Sequence, residues 1–247
     1  MRYFLDISYR GTDFHGWQTQ KNAHSVQETI ENALAVVLQS EISIVGSGRT
    51  DTGVHARQQV AHFDILMLKD PQELVYKLNA LLPKSIAIND CKKVSVSAHA
   101  RFDAVSRRYL YYINQKKDPF SVGYSYYFTR GLQVEKIREA CELLKTWTDF
   151  ESFSKVKTDV KTFDCNIFDV RWLETTSGYI LDISANRFLR GMVRAIVGTL
   201  LDVGLGKLSL SDFALIKEQK DRSAAGAAVP PEGLFLVEVK YPESIYQ

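Results

Sequence analysis

Ile42-Ser43-Ile44-Val45-Gly46-Ser47-Gly48-Arg49-Thr50-Asp51-Thr52-Gly53-Val54-His55-Ala56-Arg57 leads from an apolar, strand-like run into a loop, and Gln59-Val60-Ala61-His62-Phe63 reads as the next strand. Gly46, Gly48 and Gly53 fall within eight residues, more glycine than a plain hairpin turn needs, because each costs folding entropy and packs nothing. Close approach of another group to the backbone is the physical reason that remains. Arg49 and Arg57 flank the loop with forked donors that match phosphate or carboxylate oxygens, so an anionic partner fits. Two readings stand side by side here, a site for an anion and a solvated turn with a surface ion pair.

Outward from this loop, the chain alternates between periods of two and of three to four. Tyr3, Leu5, Ile7 and Tyr9 alternate with polar residues as in a strand with one buried face. Ser25 and Glu28 form a capping box ahead of Val26, Ile30, Ala33, Leu34, Val37 and Leu38, which recur at helical spacing. Asp70-Pro71-Gln72-Glu73 starts a second helix with Leu74, Leu78, Leu81 and Leu82 on its apolar face, and Lys93 to Ser97 reads as a strand.

This order, strand-helix-strand-strand-helix-strand, is that of a split βαβ, ferredoxin-like domain. A second round follows. Arg108 to Asn114 is strand-like; Val134, Ile137, Ala140, Leu143 and Leu144 mark a helix; Asn166 to Trp172 and Tyr179 to Ala185 are strands joined near Ser177-Gly178. A helix from Phe188 to Val203, a short one from Ser209 and a strand from Leu234 to Tyr241 complete it. The expected fold is α+β: two ferredoxin-like halves, residues 1–104 and 105–247, forming one continuous, mostly antiparallel sheet with helices on one face and a central cleft. Gln219 to Glu232, rich in Ala, Gly and Pro, reads as the mobile loop.

A chain of 247 residues can bury one large core or two smaller ones without staples. Its net charge of +2 is too small to announce a polyanion binder, so any basic surface must be gathered by the fold. Cys91, Cys141 and Cys165 are far apart and without a ligand pattern, which argues for reduced thiols in a cytoplasmic protein and against a metal. The amino terminus is charged within six residues and starts a strand, so it reads as neither signal peptide nor anchor; the apolar run 188–203 carries Arg190, Arg194 and Asp202, unlike a membrane span.

Asp51 is the sole acid of its loop, so paired-carboxylate chemistry has no second member there. It would act alone, and in a partly dry pocket it needs a nearby cation to stay ionised. Arg187, Arg190 and Arg194 are spaced three and four apart, on one face of the expected helix and near its amino end, where cations are unfavourable unless anions lie opposite. Arg107-Arg108-Tyr109-Leu110-Tyr111-Tyr112 interleaves bases and aromatics on a strand, a pattern suited to stacking a splayed base and holding phosphate, and equally to an ordinary core strand. Spacing does not separate Tyr109 from Tyr111. His55 follows Asp51 by four residues in a glycine-bearing loop, not a helix, so zinc-protease geometry lacks support, and Gly46-x-Gly48 lacks the third glycine of a dinucleotide fingerprint.

Gly48-Arg49-Thr50-Asp51-Thr52-Gly53-Val54-His55-Ala56 resembles the signature of bacterial TruA-type tRNA pseudouridine synthases, with Thr52 where Ala is usual. Four further stretches resemble the family in the same order: Tyr9-Arg10-Gly11-Thr12 with Gly16-Trp17-Gln18 and Gln20; Ala100-Arg101-Phe102-Asp103-Ala104 with Arg107-Arg108-Tyr109; Met192-Val193-Arg194 with Ile196-Val197-Gly198; and Gly233-Leu234-Phe235-Leu236. Arg190-Gly191 departs from the bulkier or histidine-bearing pairs of relatives. The resemblance implies an enzyme that isomerises uridine to pseudouridine at positions 38 to 40 of the tRNA anticodon arm, as a homodimer, with no cofactor or essential metal. It implies Asp51 as nucleophile or base, Arg194 as the cation that keeps it charged, Tyr109 as the ring stacked on the flipped uracil, and Arg49 as the group filling the vacated space. Arg57, Arg107, Arg108, Arg187 and Arg190 are the further candidates for RNA contact. A non-catalytic RNA-binding module and a carboxylate-dependent hydrolase are the competing classes; the first could dispense with Asp51, and the second needs another acid or a metal.

Overall fold

The computed structural model describes residues 1–155 and 161–247. Nine strands and five α-helices lie among them, the pairing is mostly antiparallel, and the class is α+β as expected. The chain packs as two compact units, Met1–Ser106 with Phe235–Gln247, and Arg107–Leu234. Packing and element order thus divide the chain differently at its carboxyl end.

In the first unit, β1 (Arg2–Tyr9) pairs antiparallel with both β3 (His55–Asp64) and β4 (Ile86–Val94). Tyr3, Leu5, Ile7 and Tyr9 are buried as the alternation predicts. Phe4, on the other face, is buried too, because Tyr241 and Tyr246 meet its ring edge-on at 5.0 and 6.4 Å. Helix α1 (Val26–Leu38) starts where Ser25 Oγ accepts from Glu28 N at 3.2 Å, and buries Val26, Ile30, Ala33 and Leu34. Helix α2 (Pro71–Leu81) starts at Asp70, whose carboxylate accepts from Gln72 N at 2.8 Å. Leu74 and Leu78 face inward, whereas Leu81 is 53% exposed and its place is taken by Leu82, just past the helix.

Two strands differ from expectation. The run Ile42–Val45 contracts to a two-residue β2 (Val45–Gly46), antiparallel to β3. Ile44 cannot extend the ladder because side chains of α1 hold its backbone: Ile44 N donates to Glu31 Oε1 at 2.9 Å and Ile44 O accepts from Gln27 Nε2 at 3.0 Å. The strand expected at Lys93 to Ser97 begins earlier, as β4, and Val96 is 73% exposed. A register shift opposite Asp6 and Ile7 breaks the period of two between Ile88 and Cys91, which hides β4 from alternation. Strand β9 (Leu234–Lys240) runs parallel to β3, with His55 opposite Phe235 and Ala56 opposite Leu236.

In the second unit, β8 (Gly178–Ala185) lies antiparallel to both β5 (Ser106–Asn114) and β7 (Ile167–Glu174), and a short β6 (Tyr126–Tyr127) pairs parallel with β5. A side chain at Gly178 would lie 2.2 Å from Ile113 O, so glycine is required where β7 turns into β8. Helices α3 (Val134–Leu144), α4 (Met192–Gly204) and α5 (Leu210–Gln219) close over a core that includes Ile137, Leu144, Val170, Leu181, Ile196 and Leu200. Trp147, Phe150, Phe153 and Phe213 form an aromatic cluster in it, with Trp147 stacked on Phe213 at 5.1 Å. All three cysteines are free and buried, and burial pushes Cys91 and Cys141 up to about 12 and Cys165 to about 11, so the thiols are inert at neutral pH. Among the described residues, no helix is long and apolar enough to cross a membrane.

Candidate active site

Asp51 is half-buried on a loop that the amino-terminal segment clamps from one side. The Tyr9 and Thr50 hydroxyls bond at 2.8 Å, Trp17 N donates to Thr50 O at 3.2 Å, and Gly11 N donates to His55 Nδ1 at 3.1 Å. From β3, Gln59 donates to Gly48 O at 2.9 Å and accepts from the Ser47 hydroxyl. The loop closes on itself where Val54 N donates to Asp51 O at 3.1 Å, with Gly53 at φ +79°.

The glycines now separate by cause. A Cβ at Gly46 would sit 2.6 Å from the Trp17 indole nitrogen, and one at Gly16 would sit 2.6 Å from Thr50 O. Those close approaches are the protein's own. Gly48 faces open space, with nothing within 4 Å of its missing side chain. Exposed Arg49 stands beside it, its Nε donating to Gln18 Oε1 at 3.1 Å. No local pattern marks Gln18 for a role; its place in the Gly16-Trp17-Gln18 stretch is the only signal the sequence holds. Arg57 is exposed with its guanidinium 5.8 Å above the Phe235 ring, and that ring stacks on His55 at 4.5 Å.

In the second unit, burial separates the two tyrosines that spacing could not. Tyr111 is 0% exposed and donates to Pro230 O at 2.8 Å, and burial drives its hydroxyl far above the ordinary range. It is a core residue. Tyr109 is half-buried, with its ring edge-on to Phe188 at 5.1 Å.

Arg107 Nη1 donates to Asn186 O at 2.8 Å. Arg108 grips Asp182 through Nε at 2.7 Å and Nη2 at 2.8 Å, and Arg171 adds a third bond at 2.8 Å. Asp182 is 4% exposed; burial pushes its carboxyl up, but the Arg108 bond and the Arg108 and Arg171 charges outweigh this, and the net shift is downward from 3.8. A depressed value stabilises the fold above the unfolded value and loses that contribution as pH falls through the folded one. Asp182→Asn is therefore expected to cost about 2 kcal/mol at neutral pH. Urea midpoints should show this gap whole down to about pH 4 and narrowing below; a gap unchanged to pH 2 would contradict it.

The three arginines do not share a helix face. Helix α4 begins at Met192, after Gly191 at φ +73°, so Arg187 and Arg190 precede it. The positive φ breaks the run that spacing made continuous, and it supplies a reason for glycine in the unusual Arg190-Gly191 pair. Arg190 is exposed and Arg187 half-buried. Arg194 stands in the first turn, which holds no acid, and its Nε donates to Val229 O at 2.7 Å while Val229 N donates to Arg194 O at 3.2 Å. The segment expected to be mobile is thus tied to α4. Gly226 N donates to Thr199 Oγ1 at 2.9 Å, and a Cβ at Gly198 would fall 1.8 Å from Ala227 O.

Asp51, Arg49 and Arg57 belong to the first unit, and Tyr109, Arg107, Arg108, Arg187, Arg190 and Arg194 to the second. A sequence profile described as tRNA pseudouridine synthase matches residues 7–103 and 140–242, which include Asp51 and Arg194. The tRNA pseudouridine synthase A of Porphyromonas gingivalis is 48% identical over 250 residues, covering 99% of each chain. That of Parabacteroides distasonis is 49% identical over 246 residues, covering 99% of this chain and 98% of its own. The Bacillus subtilis protein of the same name is 42% identical over 245 residues, covering 98% of this chain and 99% of its own. Matches of this extent, along a chain whose glycine loop and α4 are built as described, place it among the tRNA pseudouridine synthases.

Proposed function

We propose that the chain isomerises uridine to pseudouridine at positions 38 to 40 of the tRNA anticodon arm, with Asp51 as the nucleophile or base. Family membership makes it an RNA-modifying isomerase; the arm, the positions and the residue roles are the proposal. The observation that supports it most is that the sole acid of this loop sits on a backbone clamped from two sides, three residues after a glycine that faces open space. An acid on a backbone fixed in this way suits attack on a substrate brought to it.

The target is stacked in the arm and must first be everted, at a cost of a few kcal/mol. Arg49 fills the gap left behind. Tyr109 stacks on the uracil and stands by as acceptor for the C5 proton. Asp51 starts cleavage of the bond between ribose C1′ and N1; the base turns, C1′ bonds to C5, and the C5 proton passes to N1 by way of solvent, so the product is an isomer. Arg194 is assigned the pairing that keeps Asp51 ionised. Arg57, Arg107, Arg187 and Arg190 supply phosphate contacts, with Arg108 a lesser one because Asp182 already holds its fork. The working form is a cytoplasmic homodimer without a cofactor.

Incubation with unmodified tRNA, followed by carbodiimide-dependent reverse-transcription stops, tests the substrate. Stops at positions 38 to 40 are expected; stops confined to another arm or another RNA would overturn the assignment.

A further inference from the structure

Behind Arg49 runs a chain of side-chain amides whose orientations are set from the far end. Glu31 Oε1, on α1, accepts from Ile44 N at 2.9 Å and from Gln27 Nε2 at 2.9 Å. Gln27 Nε2 also donates to Ile44 O at 3.0 Å, so both its hydrogens are committed. Its oxygen must then point the other way, where it accepts from Gln18 Nε2 at 2.7 Å and from Thr19 N at 3.3 Å. Gln18 in turn presents its oxygen on the remaining side, to Arg49 Nε at 3.1 Å. A carboxylate, which only accepts, stands at one end and a guanidinium, which only donates, at the other, so neither amide can flip without losing bonds. The base of the chain is held as well: Val26 N and Gln27 N donate to Gly16 O and Trp17 O at 3.2 and 3.0 Å.

We infer that Gln18, oriented by Gln27 and Glu31, is a positioning residue for Arg49, which it aims through a neutral acceptor that leaves the guanidinium charge available to RNA. The inference rests on the role proposed for Arg49. An acid at this place would hold Arg49 equally well, yet it would compensate the charge that an RNA strand is to meet. An apolar residue would leave the charge intact and the side chain unaimed. Direction and charge are therefore separable at one position.

The test is steady-state kinetics on tRNA at several salt concentrations for Gln18→Ala, Gln18→Glu, Gln27→Ala and Arg49→Ala, with melting temperatures as a check on folding. Gln18→Ala is expected to lower kcat about tenfold with KM within about twofold, the pattern of an interaction made only on the way to the transition state. Gln27→Ala keeps Gln18 but removes what orients it, and should lower kcat alone by about threefold. Gln18→Glu should instead raise KM about tenfold and reduce the salt slope of log KM by about one, as when the protein neutralises one phosphate fewer. In the Arg49→Ala background, both Gln18 substitutions should have no further effect. Equal effects of Gln18→Ala and Gln18→Glu, or effects that persist without Arg49, would overturn the inference. An Arg49→Ala protein with wild-type kinetics would overturn the role of Arg49 itself, which is a different failure.

Discussion

The Asp51→Asn protein should bind tRNA with a Kd within about threefold of wild type and convert uridine at least about 10³-fold more slowly. The amide matches the carboxylate in shape, and the loop that carries it is held through backbone and through Tyr9, Thr50, Trp17 and Gln59, none of which needs the Asp51 charge. The loop should therefore keep its form, which single-turnover assays and filter binding on one preparation would separate from its chemistry. Retained turnover would remove Asp51 from the reaction. Loss of binding along with turnover would recast the loop as an RNA anchor and favour a reading without catalysis.

Arg194→Lys is expected to lower kcat on the order of 10²-fold while changing tRNA affinity less than about threefold, since an ammonium attracts phosphate but cannot grip a carboxylate with two parallel bonds. The structure adds a second reason. Arg194 Nε is bonded to Val229 O at 2.7 Å, so the direction of its two terminal nitrogens is set by the 225–230 segment. Lysine has no group at that position and would leave the Val229 carbonyl to find another donor. Equal losses in binding and turnover would make Arg194 a phosphate contact.

Local signals carry most of the fold. Capping at Ser25 and Asp70, alternation along β1 and the apolar spacing of α1 and α3 are short-range features, and each recurs in the structure. What escapes them is set by tertiary partners. Ile44 leaves strand pairing because Glu31 and Gln27 reach it from α1, and β4 conceals its period of two behind a register shift. Apolar spacing runs on through Phe188 and Leu189 and so extends the expected helix ahead of Met192, whereas the positive φ at Gly191 sets where α4 begins. At the site, residue type and order point to Asp51 and the arginines, but not to which tyrosine is buried, to Asp182 behind Arg108, or to Gln18 behind Arg49. Partners 74 residues apart, as Arg108 and Asp182 are, leave no mark on local spacing.

The placement of 235–247 in the first unit has a consequence for biosynthesis. As the polypeptide leaves the ribosome, His55 has no Phe235 to stack on, Ala100 O no Tyr241 hydroxyl to accept from, and Ser95 N no Ile245 O to bond. The edge of β3 beside the Asp51 loop waits open for β9 while the entire second unit is translated. The half that begins synthesis first is thus finished last, and a nascent chain stalled before residue 235 would hold Asp51 on an incomplete scaffold.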